Sequence, residues 1–349
     1  MAATPVRILI VGKTGVGKSS LANTMFGETV FTVDHTANAA TAGCRSAVKN
    51  IDGTDFKIID SVGFFDRQRS ENKLRSEMVR CFVESSPGPH AFLILLKKEN
   101  FTSQEDDIIA KIQETFTEEV FNHAILVFTR GDDLQPNETI KDFVQTNQDL
   151  RGLYNKCGRR CFVVDNRYWN NNPDHPYRNN QVQATQLLNK VKHMAELNPG
   201  RHYTNPALEE VERRRQELVN NGIPWDQANT IIMNFLITAA GITTGILVGA
   251  LLGVPRMVLF VINLLTKMKP EEATVVIKAA SVIPLAYVVG GAVVVGATGA
   301  AYGAYRGFQE GQSADSIYEA GANTASALYD ETREQFNTLA DTVRGMHKN

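Results

Sequence analysis

The feature that most constrains this chain is a glycine-rich octapeptide near its amino terminus, GKTGVGKS at residues 12–19. An uninterrupted apolar run at residues 6–11 precedes it, and a stretch with helical spacing, residues 19–26, overlaps its end. A strand, a glycine loop and a helix in this order form the phosphate-binding loop of α/β nucleotide-binding proteins. The pattern therefore predicts a concave loop whose backbone N–H groups and helix amino terminus bind phosphate.

Within this loop, two side chains carry specific chemistry. Lys18 is predicted to bring a point charge to the β- and γ-phosphates and so to assist catalysis, and Ser19 to offer its hydroxyl to Mg²⁺. The predicted nucleotide contacts in the loop are Gly12, Thr14, Gly15, Val16, Gly17, Lys18, Ser19 and Ser20.

Further apolar runs indicate the rest of the fold. They occupy residues 56–60, 91–96, 124–129 and 160–164, and helical patterns lie between and after them at 73–84, 103–116, 140–148 and 181–196. Continuous apolar runs separated by helical segments are typical of buried parallel strands with crossover helices. Residues 1–204 are therefore predicted to form an α/β P-loop domain, a mostly parallel sheet with helices on both faces.

The run at residues 56–60 ends in Asp60-Ser61-Val62-Gly63. An aspartate at this strand end is placed to serve the Mg²⁺ site, and the N–H of Gly63 to meet the γ-phosphate. Loss of that phosphate would release the loop, which is how GTPase switches work.

The run at residues 124–129 continues into Arg130-Gly131-Asp132-Asp133. A carboxylate here can accept hydrogen bonds from the N1–H and amino group of guanine, which adenine cannot donate, so a polar site of this kind discriminates strongly. Asp132 is the predicted base reader, with Asp133 as the alternative. Thr129 and Arg130 are predicted to line the same site, and Asn166, after the run at 160–164, is predicted to contribute from the last strand.

These motifs together resemble the GTPases of immunity-associated proteins, the GIMAP family. TRGDDL at residues 129–134 looks like the base box of that family, and GPHAFLILL at 88–96 like its own box between the metal and base motifs. VDNR at 164–167 and YTN at 203–205 are similar to two later segments. The resemblance covers residues 6 to about 215.

The resemblance implies a GTP- and GDP-binding protein that uses Mg²⁺ and self-associates as a homodimer or oligomer through its nucleotide face. It implies that Thr41 coordinates Mg²⁺ and acts in catalysis. Phe64 stands where a water-positioning Gln would follow the Asp-x-x-Gly motif, and the family box has lost its arginine near Asn100, which leaves Lys97 or Lys98 to substitute. Hydrolysis is therefore expected to be slow.

Composition excludes several other classes. The net charge of −2, from 36 basic and 38 acidic residues, argues against a nucleic-acid binder. The 4 cysteines are too few for a disulfide scaffold, and we expect Cys44, Cys81, Cys157 and Cys161 to be unligated reduced thiols. No secretory signal is expected at the amino terminus.

Two stretches without any charged residue, 227–255 and 279–305, follow the predicted GTPase domain. Glycines recur at every fourth residue in the first of them, at Gly241, Gly245, Gly249 and Gly253, a spacing that favours close packing of helices in a membrane. We predict a connecting helix at 205–226, a hydrophobic helical hairpin or transmembrane anchor at 227–307 and an amphipathic tail helix at 308–349. The alternatives are a buried hairpin that covers the GTPase domain and a one-leaflet hairpin held by basic residues, Arg256, Lys267, Lys269 and Lys278.

The sequence thus predicts a guanine-nucleotide switch or scaffold on an intracellular membrane, with its GTPase domain in the cytosol. The alternative function is a membrane-remodelling or pore-forming effector whose glycine-rich hairpin is controlled by GTP. An ATP-dependent kinase is disfavoured by TRGDD and by the lack of a recognisable substrate site.

Overall fold

The computed structural model describes residues 4–33, 43–61, 71–99, 109–110, 112–113, 116–171, 175–197, 202–239 and 241–268. Several sequence predictions fall outside these residues. They are Thr41, Gly63, Phe64, Asn100, most of the helical pattern at 103–116, the second uncharged stretch at 279–305 and the tail helix at 308–349.

A six-stranded sheet with the order β2-β3-β1-β4-β5-β6 forms the centre of the domain. Its strands are β1 Val6–Gly12, β2 Arg45–Ile51, β3 Thr54–Asp60, β4 Ala91–Lys97, β5 Ala124–Thr129 and β6 Cys161–Val163. All neighbouring pairs are parallel except β2 with β3. The three strands β1, β4 and β5 are almost wholly buried, as their continuous apolar sequences predict.

The edge strand β2 was missed because its residues alternate between half-buried and exposed, without a continuous apolar run. Its pairing with β3 closes through Asp52 and Gly53, which both have positive φ, 49° and 77°. Aspartate followed by glycine in a two-residue turn is a strong local signal for an antiparallel hairpin. That dipeptide, rather than hydrophobicity, identifies this strand.

Helices lie between the strands in the chain, and further helices follow the last strand. They are α1 Lys18–Phe26, α2 Glu71–Ser85, α3 Glu118–Asn122, α4 Ile140–Gln145, α5 Gln148–Lys156, α6 Asn180–Leu197, α7 Pro206–Asn220, α8 Trp225–Thr238, α9 Thr244–Leu251 and α10 Pro255–Leu265. The helix predicted at 140–148 ends early, at Gln145, with Thr146 as its C-cap. A second helix, α5, begins at Gln148, where the Asn147 side chain caps it by accepting a hydrogen bond from the N–H of Leu150.

The described chain forms two compact units. The first contains Met1–Arg215, Ile232–Ile237 and Ile242–Thr266, so α9 and α10 belong to the same unit as the sheet. In the second, α7 ends at a turn in which Gly222 has φ +85° and the N–H of Ile223 donates to the carbonyl of Leu218 at 3.1 Å.

In the first unit, α9 packs against α2, and three residues of α9 are fully buried: Leu247, Ala250 and Leu251. Asn205 fixes the end of α9 by donating its side-chain N–H to the carbonyl of Ala250 at 2.9 Å. Part of the first uncharged stretch is therefore packed on the α/β domain in this structure.

The sequence predicted that the regularly spaced glycines of this stretch lie on one face of one helix, and the structure shows that they do not. Gly241 and Gly253 have φ of +78° and +83° and lie in turns, so the stretch is divided into short helices. Gly249 has a packing role, because a Cβ there would lie 1.8 Å from the sulfur of Met257 on α10.

Among the described residues, no single helix has both the length and the apolar character needed to cross a bilayer. The bent pair of α9 and α10, with an angle of 106° between the helices, meets that requirement only when the two are taken together.

The prediction of four reduced thiols is wrong for one pair. Cys44, directly before β2, and Cys81 on α2 form a disulfide with a Cα–Cα distance of 5.7 Å, although they are 37 residues apart in the chain. Cys157 and Cys161 are free, and burial raises the pKa of Cys157 to about 12 and that of Cys161 to about 11.

Candidate functional site

The candidate site lies at the carboxyl edge of the sheet, where the segments that follow β1, β3, β4, β5 and β6 come together. The central strand β1 pairs with β3 on one side and β4 on the other, so the chain connections diverge at its carboxyl end. Ligands bind at this kind of topological switch point in open α/β sheets.

The glycine loop joins the end of β1 to α1 at this edge. Gly15 and Gly17 have φ of +74° and +99°, which suits glycine, and a Cβ on Gly12 would lie only 2.8 Å from the carbonyl oxygen of Leu95. Lys18 is 4% exposed, and its Nζ donates to the carbonyls of Gly12 at 3.2 Å and Lys13 at 3.0 Å. The ammonium group therefore lies against the loop that it is predicted to serve.

Thr129, at the end of β5, holds the same loop from the side. Its hydroxyl donates to the carbonyl of Val16 at 2.9 Å. The structure thus gives this predicted contact residue a positioning contact with the phosphate loop.

Ser19 and Asp60, both predicted for the metal site, are in direct contact. The Ser19 hydroxyl donates to Oδ2 of Asp60 at 2.6 Å, and both residues are buried. Burial raises the pKa of Asp60, while the Ser19 hydrogen bond and the charges of Lys18 and Arg45 oppose that rise. Oδ1 of Asp60 is buried and has no hydrogen-bond partner in the part of the chain that the structure describes.

The Ser19–Asp60 pair suits Mg²⁺ better than it suits a metal ion whose ligands all come from the protein. Mg²⁺ in nucleotide sites takes one or two protein oxygens and completes its shell with water and phosphate. Within the described ranges there is no group of three His, Cys, Asp or Glu residues that could hold a metal without such help. The unpaired Oδ1 of Asp60 and the adjacent Ser19 hydroxyl can supply the one or two protein oxygens that Mg²⁺ needs in such a site.

The segment after β5 forms a tight 3-10 turn at Gly131–Asp133, entered by Arg130 with φ +62°. Gly131 has no room for a side chain, since a Cβ would lie 2.4 Å from the ring of Trp169. Asp132 and Asp133 are exposed, and the Arg130 guanidinium pairs with Glu99 at 3.4 Å.

Asp165 is a residue of this site that the sequence analysis passed over. Its Oδ2 accepts from the N–H of Asp132 at 3.1 Å, and its Oδ1 accepts from the N–H groups of Arg167 and Tyr168. Asn180 on α6 in turn brackets the backbone of Asp165 with two hydrogen bonds. The sequence did contain a signal for Asp165. It directly follows an apolar run and precedes Asn166, which was itself a predicted contact.

Asn166 follows β6, and its side chain lies beside Gly17 of the phosphate loop. Its Nδ2 is 3.0 Å from where a Cβ of Gly17 would be, so glycine is needed there. Its Oδ1 is buried without a hydrogen-bond partner among the described residues, and so is Nε1 of Trp169. Unpaired buried polar atoms are costly, and their presence here indicates that a ligand supplies the missing partners.

The two lysines expected to replace the missing arginine have different positions. Lys97 is half-buried at the end of β4. Lys98 is 8% exposed and donates through Nζ to the carbonyl of Asp133, so its cation lies beneath the base segment. The Lys98 ammonium is therefore engaged within the fold, which makes Lys97 the better placed of the two lysines predicted to substitute for the arginine.

A mostly parallel sheet with a glycine phosphate loop, a serine–aspartate pair beside it and an acidic turn at Gly131–Asp133 after β5 defines an α/β P-loop protein with the GTPase fold. Comparison with known proteins gives the family. The model of the AIG1 family matches residues 6–222, and the chain belongs to that family. The resemblance read from the sequence is confirmed.

Two relatives illustrate the match. Immune-associated nucleotide-binding protein 4 of Arabidopsis thaliana is 29% identical over 223 residues, 62% of this chain and 67% of that protein. GTPase IMAP family member 8 of Homo sapiens is 27% identical over 239 residues, 66% of this chain but 34% of that protein. Among solved structures, Toc33 from Arabidopsis thaliana aligns over 56% of this chain and 86% of its own, with 19% identity and a TM-score of 0.43.

Proposed function

We propose that this chain is a guanine-nucleotide switch that binds GTP and GDP with Mg²⁺ and hydrolyses GTP slowly. The observation that carries the proposal is the convergence of Lys18, the Ser19–Asp60 pair and the Asp132–Asn166 region at one edge of the sheet. Membership of the AIG1 family, some of whose members are named as GTPases or nucleotide-binding proteins, points the same way.

In this proposal the phosphates lie against the glycine loop. The N–H groups at the amino end of α1 and the Lys18 ammonium neutralise their charge. Ser19 and Asp60, with Thr41 and the N–H of Gly63 from the two adjoining segments, hold the metal ion and the γ-phosphate. When bound, Mg²⁺ neutralises negative charge that develops on the phosphate oxygens.

The base lies between the segments that follow β5 and β6. The Asp132 carboxylate accepts from the guanine N1–H and amino groups, and Asn166 supplies an amide whose buried Oδ1 needs a partner. The Arg130 stem covers the face of the purine. Adenine cannot satisfy the carboxylate, and the site therefore selects guanine.

Slow hydrolysis follows from what the catalytic positions contain. Phe64 cannot orient a water molecule as a glutamine does, and Lys98 is engaged beneath the base segment. An arginine finger is worth about 10³–10⁵ in rate, so its absence leaves a weak enzyme. We infer that self-association through the nucleotide face, as a homodimer or larger oligomer, supplies part of what is missing.

Calorimetry with GDP and ADP, each with and without Mg²⁺, tests the nucleotide proposal. Tight GDP binding that depends on Mg²⁺ and weak ADP binding are expected, and tight ADP binding would overturn the assignment. Single-turnover hydrolysis at rising protein concentration then tests self-association. A fast rate that does not depend on concentration would contradict it.

We further propose that the chain acts on an intracellular membrane with its GTPase domain in the cytosol. The α9–α10 pair supports this, because Leu259 on α10 is 60% exposed and Arg256 and Lys267 are exposed at its two ends. Apolar residues flanked by basic ones suit an anionic lipid surface. Flotation of the full chain with anionic liposomes tests membrane binding, and a chain that stays at the bottom of the gradient would reject the proposal. Carbonate extraction then separates the two modes of attachment, because release into the supernatant would reject insertion.

The bent α9–α10 pair also favours a second candidate, a membrane-remodelling or pore-forming effector controlled by GTP. Leakage of dye from liposomes, measured with GTP and with GDP, separates the two. A switch or scaffold leaves the liposomes sealed in both states, whereas an effector releases dye in only one.

A further inference from the structure

Lys98 is a buried cation that the proposed reaction does not use. It follows β4, the strand next to β5, and lies with its backbone N–H donated to the carbonyl of Thr129 at 2.8 Å. Its side chain is 10% exposed, whereas a lysine normally keeps its ammonium in water. Its burial therefore needs a local reason.

Three contacts surround the Lys98 ammonium. It donates a hydrogen bond to the backbone carbonyl of Asp133, it lies 4.9 Å from the centre of the Phe143 ring, and the Glu138 carboxylate is 3.9 Å away. A cation over an aromatic ring in a partly desolvated place is attracted more strongly than one on the surface. These contacts fix the ammonium directly under the last residue of the 3-10 turn.

That turn carries Asp132, and it is held from the other side by the two residues that follow β6, Val164 and Asp165. The N–H of Gly131 donates to the carbonyl of Val164 at 3.0 Å, and the N–H of Asp132 donates to the Asp165 carboxylate at 3.1 Å. Arg130, with φ +62°, enters the turn in a conformation that a non-glycine residue rarely adopts. Bonds on both sides stabilise this unfavourable backbone.

We propose that Lys98 is a positioning residue for guanine specificity. It binds the Asp133 carbonyl, and through that bond it sets the turn so that the Asp132 carboxylate meets both the N1–H and the amino group of the base. The inference rests on the proposed function, since it assumes that the site binds guanine through Asp132. It gives Lys98 a role at the base in place of the phosphate role expected from the sequence.

The readout is the ratio of the dissociation constants for IDP and GDP. Inosine lacks the amino group of guanine, so this ratio measures the hydrogen bond that depends most on the placement of the carboxylate. Lys98→Met keeps the length and apolar stem but removes the ammonium, and Lys98→Arg restores a cation that can donate to the same carbonyl. Phe143→Leu removes the ring while leaving the lysine.

The matched control is Lys156→Met. Lys156 lies 5.2 Å from the centre of the Phe121 ring and 3.2 Å from the Glu118 carboxylate, so it has the same kinds of partner. It lies at the end of α5, and these partners are on α3 rather than on the 3-10 turn at Gly131–Asp133. It therefore reports what losing a lysine over an aromatic ring does by itself.

We expect Lys98→Met to weaken GDP binding about tenfold and to bring the IDP-to-GDP ratio close to one, the loss of one charge-assisted hydrogen bond. Lys98→Arg should keep most of the wild-type ratio, and Lys156→Met all of it. If Lys98→Met does not fold, Phe143→Leu should bring the IDP-to-GDP ratio part of the way from its wild-type value towards one.

The proposal is overturned if Lys98→Met, or Phe143→Leu in its place, lowers the melting temperature but leaves the ratio at its wild-type value. Lys98 would then be a structural cation only. Failure of the guanine proposal looks different, because wild-type protein would then bind ADP as well as GDP before any variant is made.

Discussion

The two edges of the central sheet contain polar residues in opposite states. At the carboxyl edge, three buried polar atoms have no hydrogen-bond partner within the described chain: Asp60 Oδ1, Asn166 Oδ1 and Trp169 Nε1. At the amino edge, the Arg7 N–H donates to Nδ1 of His90 at 2.9 Å, and the Arg7 side chain donates to the carbonyl of Gly88 at 2.6 Å.

The amino edge is a polar cluster that completes itself. The N–H of His90 returns a bond to the Arg7 carbonyl at 2.8 Å, and the rings of His90 and His202 are 5.5 Å apart. The N–H of Tyr203 donates to the carbonyl of Pro89 at 2.9 Å. The contrast teaches that buried polarity alone does not identify a ligand site. Several unpaired buried polar atoms in one place are a better guide, because each such atom costs about 1–3 kcal/mol unless something binds it.

The largest expected effect is at the carboxyl edge. Lys18→Ala should weaken GDP binding about a hundredfold or more, because charge-assisted bonds to phosphate are lost. The unfolding free energy without nucleotide should change little, since removing a buried charge also removes its desolvation cost. Calorimetry and urea unfolding measure the two. Lys49→Ala is the control. Lys49 lies on the edge strand β2 and donates to the carbonyl of Phe26 on α1, so its loss should leave GDP binding normal.

The next effect belongs to the amino edge and should appear in stability. A Cβ on Gly88 would lie 1.6 Å from the carbonyl oxygen of Tyr203, so Gly88→Ala should lower the unfolding free energy by about 3 kcal/mol through overpacking. Gly53→Ala is the control, because Gly53 also has positive φ, +77°, but faces open space. It should cost about 1 kcal/mol from backbone strain alone. Equal losses in urea unfolding would show that the close approach does not matter.

A smaller effect should change the choice of base. In Asp132→Asn the amide donates to the carbonyl that xanthine has in place of the guanine amino group. The ratio of XDP to GDP affinity should rise about tenfold, the value of one hydrogen bond. Asp133→Asn, one residue further along the same turn, should leave the ratio unchanged. The reverse result would make Asp133 the base reader.

The smallest effect concerns protons at the amino edge. Burial, and then the nearby Arg7 charge, lower the pKa of His90 to about 3 and that of His202 to about 4, from 6.5. The unfolded chain therefore binds more protons below pH 6.5, and the unfolding free energy should fall as the pH drops from 6.5 towards 4. Each histidine contributes less than about 1.4 kcal/mol per pH unit, because both are only partly buried.

His202→Gln removes one of these groups and should flatten the dependence of urea unfolding on pH in that window. Carboxylates titrate in both proteins, so their contribution cancels in the comparison. A slope that is the same in the variant and the wild type would mean that His202 ionises as freely in the folded protein as in the unfolded one. GDP binding at neutral pH should be unaffected.

Patterns close together in the chain predicted the fold well. Apolar runs located β1, β3, β4, β5 and β6, because strands buried on both faces need continuous hydrophobic sequence. The edge strand β2 was lost to the same rule, since only part of it is buried. The glycine period at 241–253 misled because equal spacing cannot distinguish a helix glycine such as Gly249 from a turn glycine such as Gly253.

The sequence by itself determined the phosphate loop, the strand that precedes it and the residue types that follow the other strands, because each depends on neighbours within a few positions. Only the tertiary structure decided which polar groups meet. Asp165 bonds to Asp132, Lys98 to Asp133, and Cys44 to Cys81, pairs separated by 33 to 37 residues. The partner of a buried polar group is set by long-range packing, and a local pattern carries no record of it.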